Sequence, residues 1–293
     1  MKNTLIGAAV LLLAACNAEN TVVNEKISVM QENEAVKTSV VWEYPQKGDE
    51  AALSSIRRQA ADLLIKDYKG QLSDGQKILQ QFVSGKMAEL APAEGYIPAF
   101  KSTYTAEVKE LVQTPKFITY EKRAEVFTGG AHGMSEWAAA SIRKSDGVLL
   151  NEHILNERVN SPEFKQLLKQ GAEAYFTTLK GAYYQCEFQP ETLQSQLFED
   201  FDADSLPLPQ AKPFLSDKGV GFVYMPYEIA SYSDGQIAFI LPYEAMKPYL
   251  TAEVWNLVAK QENKDASVTA YVNDYMAAEY QKYLALPEHK ICE

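Results

Sequence analysis

Between Tyr104 and Leu150 the apolar residues repeat every second position, and the breaks inside this stretch are too short for a helix to cross back over a sheet. Thr105 to Val112, Lys116 to Phe127 and Ser135 to Arg143 read as strands, separated by Thr114-Pro115 and by Gly129-Gly130, and Ser145-Asp146-Gly147 reads as a hairpin turn into Val148 to Leu150. A parallel pair needs a connection of roughly a dozen residues or more, so this stretch predicts an antiparallel meander rather than parallel βαβ units.

Helical patterns flank it. Thr38 to Tyr44 is β-branched and aromatic and reads as a first strand ending at Pro45. Ile56, Ala60, Leu63 and Leu64 then share one helix face, and Ile78, Leu79, Phe82, Val83 and Met87 share another after the capping pair Ser73-Asp74. Ser161-Pro162-Glu163 opens a helix with Pro at its first position, burying Phe164, Leu167, Leu168, Tyr175 and Phe176. Residues 187–213 are proline-rich and acidic and read as irregular with a short helical turn. A second sheet section follows: Gly219 to Tyr224, a turn at Ser233-Asp234-Gly235, then Gln236 to Leu241, with a helix from Pro242-Tyr243-Glu244 through Tyr249. Tyr271, Val272, Tyr275, Met276 and Tyr283, with Tyr280 at the edge, form a stripe at helical spacing that reads as core packing. The expected class is α+β, with antiparallel sheets flanked by helices in a single globular unit of two sub-parts.

The first sixteen residues give an address. Lys2 precedes an apolar run from Leu5 to Ala15 that ends in Leu13-Ala14-Ala15-Cys16. The run is about half of the roughly 20 residues a membrane-spanning helix needs, and its small terminal residues suit cleavage. It reads as a lipoprotein signal peptide over residues 1–15, with Cys16 the lipidated (palmitate-bearing) first residue of the mature chain and two acyl chains as membrane anchor. Asn17 lacks the Asp associated with inner-membrane retention, which points to the outer membrane of the cell envelope. Residues 17–37 are polar, without Gly or Pro, so residues 16–37 read as a lipidated tether; parts at 38–125 and 126–250 and a helical extension at 251–293 complete the expected organisation.

Removing Lys2, the one charge of residues 1–15, leaves 27 basic against 39 acidic residues and takes the net charge from −11 to −12. This balance disfavours nucleic acid and favours cationic partners by long-range steering. With Cys16 given to lipid, Cys186 and Cys292 remain, in a compartment that permits a disulfide. A bond between them would close a loop of about 100 residues and stabilise the fold by about 4 to 5 kcal/mol; two free thiols or an intermolecular bridge are the alternatives. Neither lies in a C-x-x-C pattern, and His132, His153 and His289, the only histidines, share no metal-ligand spacing, so neither metal nor cofactor is expected. A G-x-S-x-G elbow, a Walker loop and a dinucleotide fingerprint are all absent from the sequence.

Two segments stand out. In Phe127-Thr128-Gly129-Gly130-Ala131-His132-Gly133 three glycines surround a histidine, which suits a tight turn and leaves His132 as base, ligand or strut. In Glu199-Asp200-Phe201-Asp202-Ala203-Asp204 four carboxylates, Glu199, Asp200, Asp202 and Asp204, form a candidate contact for a cationic partner.

The Gly129–Gly133 turn, together with Tyr227-Glu228-Ile229-Ala230, Ser233-Asp234-Gly235 and Ile240-Leu241-Pro242-Tyr243, resembles the RsiV-like extracytoplasmic domain family of anti-sigma factors. The segment from Trp42 to Gln59 similarly resembles the N-terminal half of that domain, which also occurs as a non-catalytic appendage in the peptidoglycan deacetylase PdaC. The resemblance covers residues 38–250, with 38–125 as the PdaC-like part and 126–250 as the RsiV-like part. It implies a non-enzymatic binding domain with lysozyme as candidate partner, binder or inhibitor, whereas a deacetylase label would come from the shared appendage alone. The rival expectations are a module that binds peptidoglycan or another glycan through exposed aromatic faces, and a hydrolase using His132 with a carboxylate such as Glu228.

Overall fold

The computed structural model describes residues 21–94, 99–183, 193–261 and 267–271. Cys16, Cys186 and Cys292, and with them the expected lipidation and disulfide, lie outside the described residues. The chain divides into two compact units, Met1–Met134 with Ala140–Leu149 and Ser135–Ala139 with Leu150–Glu293. The expected class holds: a mixed α+β protein with two antiparallel-rich sheets and flanking helices.

The first unit carries β1 (Val23–Glu32), β2 (Val36–Lys47), α1 (Glu50–Asp62), α2 (Gly75–Glu89), β3 (Ser102–Gln113), β4 (Phe117–Phe127) and part of β5 (Met134–Arg143), with sheet order β1-β2-β3-β4-β5. The β1–β2 hairpin turns at Asn33, whose side chain accepts from the Ala35 and Val36 amides at 2.9 and 2.7 Å. In β2 the alternate residues Val36, Thr38, Val40, Trp42 and Tyr44 are buried. Asp49 caps α1 through the Ala51 amide, and Asp74 caps α2 through the Lys77 amide, as the Ser73-Asp74 pair predicted. Gly75 opens α2 because the Tyr44 ring passes there: a Cβ would sit 2.6 Å from it.

Three expectations are corrected. The stretch 17–37, read as a tether, holds β1. Its Asn, Glu and Lys residues mask Ile27 and Val29, which pack against the core from an edge strand, where charge is the usual guard against unwanted pairing. In addition β2 pairs with β3 in parallel, from Val36↔Ser102 to Trp42↔Val108. The long helical stretch of α1 and α2 is the crossover, so one parallel β-α-α-β unit joins the meander. The Ser145–Gly147 turn forms, with Gly147 at φ 72° and its amide on the Arg143 carbonyl, but the strand expected after it shrinks to one bridge, Ile142↔Leu149.

The second unit carries α3 (Pro162–Tyr183), α4 (Leu193–Gln196), β6 (Phe214–Leu215), β7 (Gly219–Tyr224), β8 (Ile237–Pro242), α5 (Tyr243–Met246), α6 (Ala252–Val258) and β9 (Thr269–Ala270). Its sheet runs β6-β7-β8-β9, antiparallel at each pair. Phe164, Leu168, Ala172, Tyr175 and Phe176 of α3 are buried, while Leu167 is only half-buried. The helix crosses β8 at Gly171, where a Cβ would lie 2.1 Å from the Phe239 ring. Tyr271 extends β9, its amide donating to the Ala238 carbonyl at 2.8 Å and its ring lying 5.4 Å from that of Phe214. The rest of that tyrosine stripe lies outside the described residues. Among the described residues no helix is long and apolar enough to cross a membrane.

Candidate functional site

The loop between β7 and β8 is built to hold one tyrosine outward. Tyr227 has φ 69°, a left-handed angle that a side chain resists, and it is 52% exposed. Glu228 holds this turn in place: one carboxylate oxygen accepts from the Met225 amide at 2.8 Å and the other from the Gln210 amide at 2.6 Å. The Tyr227 and Tyr232 rings lie 5.6 Å apart at 35°. Beyond them the Ser231 hydroxyl donates to the Asp234 carboxylate at 2.7 Å, and the Tyr175 hydroxyl donates to the Asp234 carbonyl at 2.6 Å. Gly235 leaves the turn at φ 70°.

A second segment meets this loop. Leu197 bridges Ala230, and the Phe198 amide donates to the Ile229 carbonyl at 3.0 Å. Phe198, 38% exposed, and the exposed Glu199 and Asp200 therefore stand at the edge of the tyrosine loop. The rest of the acidic run has local duties. Asp202 accepts from the Asp204 amide at 2.9 Å, and Asp204 pairs with Lys169 at 2.6 Å; that hydrogen bond holds the Asp204 carboxyl below its ordinary range. All four predicted contact residues are exposed; Glu199 and Asp200 follow Phe198, whose amide bonds the tyrosine loop, while Asp202 and Asp204 also make local bonds.

Residues 207–213 form a strap whose ends and middle are tied down. The Tyr224 hydroxyl donates to the Pro207 carbonyl at 2.6 Å, Glu228 takes the Gln210 amide, and the Asn151 side-chain amide donates to the Pro213 carbonyl at 2.8 Å. Burial, with the nearby Glu228 charge, pushes the Tyr224 hydroxyl up, so it stays protonated and able to donate. A cleft of 340 Å³ opens beside the strap, lined among others by Leu208, Leu155, Phe222 and the Lys212–Glu152 ion pair at 3.1 Å.

The glycine–histidine turn is geometrically a turn. Gly129 and Gly130 both have φ 99°, and a Cβ on Gly133 would sit 2.8 Å from the Val126 carbonyl oxygen. His132 is exposed, with Nδ1 2.8 Å from the Gly133 carbonyl. His132 belongs to the first unit and Glu228 to the second, where both Glu228 oxygens are engaged by backbone amides. Among the described residues no group of three or more His, Cys, Asp or Glu side chains could hold a metal ion. Tyr227-Glu228 stands in the sequence as part of the RsiV-like motif, but its backbone angle is invisible there, whereas the closely spaced Pro207, Pro209 and Pro213 mark the segment as irregular.

Residues 163–244 match a family described as "Protein of unknown function (DUF3298)". The match runs from α3 to the start of α5 and includes the strap and the tyrosine loop. Two solved structures are similar. A DUF3298-family protein of Bacteroides fragilis is 17% identical, with a TM-score of 0.58 over 84% of this chain and 100% of that one. A DUF3298-family protein of Pseudomonas aeruginosa is 16% identical, with a TM-score of 0.52 over 80% of this chain and 97% of that one. At these identities the likeness is one of fold. No curated protein matches the chain.

Proposed function

We propose that this is a lipid-anchored envelope protein whose second unit is a non-catalytic binding domain for a cationic envelope protein, with lysozyme as the named candidate. One observation carries the reading: Tyr227, held at φ 69° and half exposed by the Glu228 clamp, next to exposed Phe198, Glu199 and Asp200. An aromatic anchor on a pre-ordered loop lowers the ordering cost of binding, and neighbouring carboxylates suit Lys or Arg of a basic partner through charge and cation–π contact. The net charge of −12 left once Lys2 is removed (27 basic against 39 acidic residues) steers such a partner in. The resemblance to the RsiV-like family supports the choice of lysozyme; a family of unknown function neither adds to it nor opposes it.

A glycan reading is favoured by one feature of the same loop, the Tyr227–Tyr232 pair, whose rings could stack on sugar. A hydrolase reading has less support, because the Glu228 carboxylate already holds two amides. The test is calorimetric titration of residues 17–293 with lysozyme at low and moderate salt, beside a cell-wall lysis assay and a pull-down on purified peptidoglycan. Salt-sensitive binding that Glu199→Lys with Asp200→Lys abolishes supports the protein partner, and blocked lysis makes the chain an inhibitor. Binding to peptidoglycan alone, lost in Tyr227→Ala, replaces it with the glycan reading; binding to neither rejects both.

A further inference from the structure

Among the described residues the core of the first unit reaches to Val22, six residues from Cys16 in the chain. Val22 is 4% exposed and belongs to the hydrophobic core of the first unit. Its backbone is held from both sides by one side chain: the Val22 amide donates to Gln113 Oε1 at 2.6 Å, and Gln113 Nε2 donates to the Val22 carbonyl at 3.0 Å. Two residues on, the Asn24 amide group donates to Glu110 at 2.6 Å and its oxygen accepts from the Tyr120 hydroxyl at 2.6 Å. Lys144 closes the clasp, donating to Gln113 Oε1 at 3.1 Å and to the Thr114 carbonyl at 3.0 Å. This clasp ties Val22 and β1 to β3 and β4.

Cys16 and Val22 are six residues apart, and six residues fully extended reach only about 21 Å. We propose that the first unit does not swing on a tether but stands on the lipid surface, with the sheet end around Val22, the Lys47 end of β2 and the Thr114 turn against the headgroups. The proposal rests on the acylation at Cys16 proposed above. The opposite end of the sheet then faces away: Lys37 and Lys47 are ten residues apart in β2, about 33 Å along a strand, farther than the leash extends. The facing end carries Asp49 and Glu50 as well as Lys47, so the leash and not net charge sets the orientation.

Lysine footprinting of the full acylated chain reads this directly. The chain is made with its own signal, reconstituted in phosphatidylethanolamine–phosphatidylglycerol vesicles, and acetylated briefly beside residues 17–293 free in solution. Lys37 and Lys47 are both exposed, so each is a fair reporter of its end. Labelling of Lys47 falls several-fold on the vesicle while Lys37 is unchanged. Inserting a Gly-Ser linker of about 20 residues after Asn17, which reaches roughly 25 Å as a flexible coil, restores Lys47. Equal labelling of Lys47 on and off the vesicle overturns the proposal, as does protection of Lys37 and Lys47 together, which would mean a sheet lying flat. A chain that carries no acyl mass and does not float with the vesicles overturns the anchor itself, an outcome distinct from a wrong orientation.

Discussion

One substitution, made in two helices, separates local helix propensity from tertiary packing. Alanine in place of glycine inside a helix is worth about 1 kcal/mol through backbone entropy alone. Gly85 of α2 is exposed, and no described atom lies within 4 Å of where its Cβ would be. Gly85→Ala therefore stabilises by about 0.5 to 1 kcal/mol. Gly171 of α3 meets the Phe239 ring instead, at 2.1 Å from Cδ2 and 2.3 Å from Cε2. That ring cannot easily retreat, since it stacks on Phe222 at 5.9 Å and neighbours Tyr224 at 6.2 Å. An overpacked core costs about 1 to 3 kcal/mol, and this contact belongs at the upper end, so the clash outweighs the propensity gain. Gly171→Ala loses about 1 to 2 kcal/mol net, a fall of a few degrees in Tm. Urea unfolding, with the m-value checked for constancy, measures both variants. A Gly171→Ala variant as stable as the parent would refute the close packing of α3 on β8, and a destabilised Gly85→Ala would refute the open surface assigned to α2.

Tyr227→Gly relieves a left-handed angle and removes the proposed anchor at once, so stability should rise by about 0.5 to 1 kcal/mol in denaturation while lysozyme affinity falls about 10-fold in calorimetry. A variant that loses both would mean the tyrosine is structural. Gly129→Val and Gly130→Val face open space but a φ of 99° each, so thermal unfolding should show a loss of about 1 to 3 kcal/mol from strain alone, with lysozyme binding retained by the folded fraction. Burial raises the Glu110 carboxyl above its ordinary value, more than the hydrogen bonds from Gln113 and Asn24 and the Lys144 charge lower it. With the folded value above the unfolded one, its contribution is fully present below the unfolded pKa and is lost as pH rises through the folded pKa. Mild acid should therefore tighten the clasp on β1, and Glu110→Gln should flatten that dependence in pH-resolved hydrogen exchange of the β1 amides; an unchanged slope would remove Glu110 from the explanation.

Most of what the sequence made legible was local. Asp74 as a cap, Pro162 at the start of α3, the turn glycines Gly147 and Gly235, and the pairing of β7 with β8 across a short loop each depend on a few neighbouring residues, and each is where the pattern put it. β1 was hidden because an edge strand half covered by a helix needs few apolar residues, and its partner β2 tolerates polar ones opposite. The parallel pairing of β2 with β3 was hidden for another reason: nothing in either strand records its direction relative to the other. For the candidate site, the acidic run could be read as charge, and all four carboxylates are exposed, but which of them also make local bonds was decided by Lys169 and by the short helical turn that Asp202 caps.

The sequence by itself determined the α+β class, the acidic balance and, for most of the elements it named, their boundaries to within a few residues, because propensity, periodicity and charge are properties of neighbouring residues. Tertiary structure alone decided that Val22 joins the core six residues after Cys16, that Tyr227 stands outward against its backbone preference, and that Gly171 must stay bare. Each of these depends on an atom brought close by the fold from far along the chain: Gln113 for Val22, Gln210 on Glu228 for the tyrosine loop, and Phe239 for Gly171.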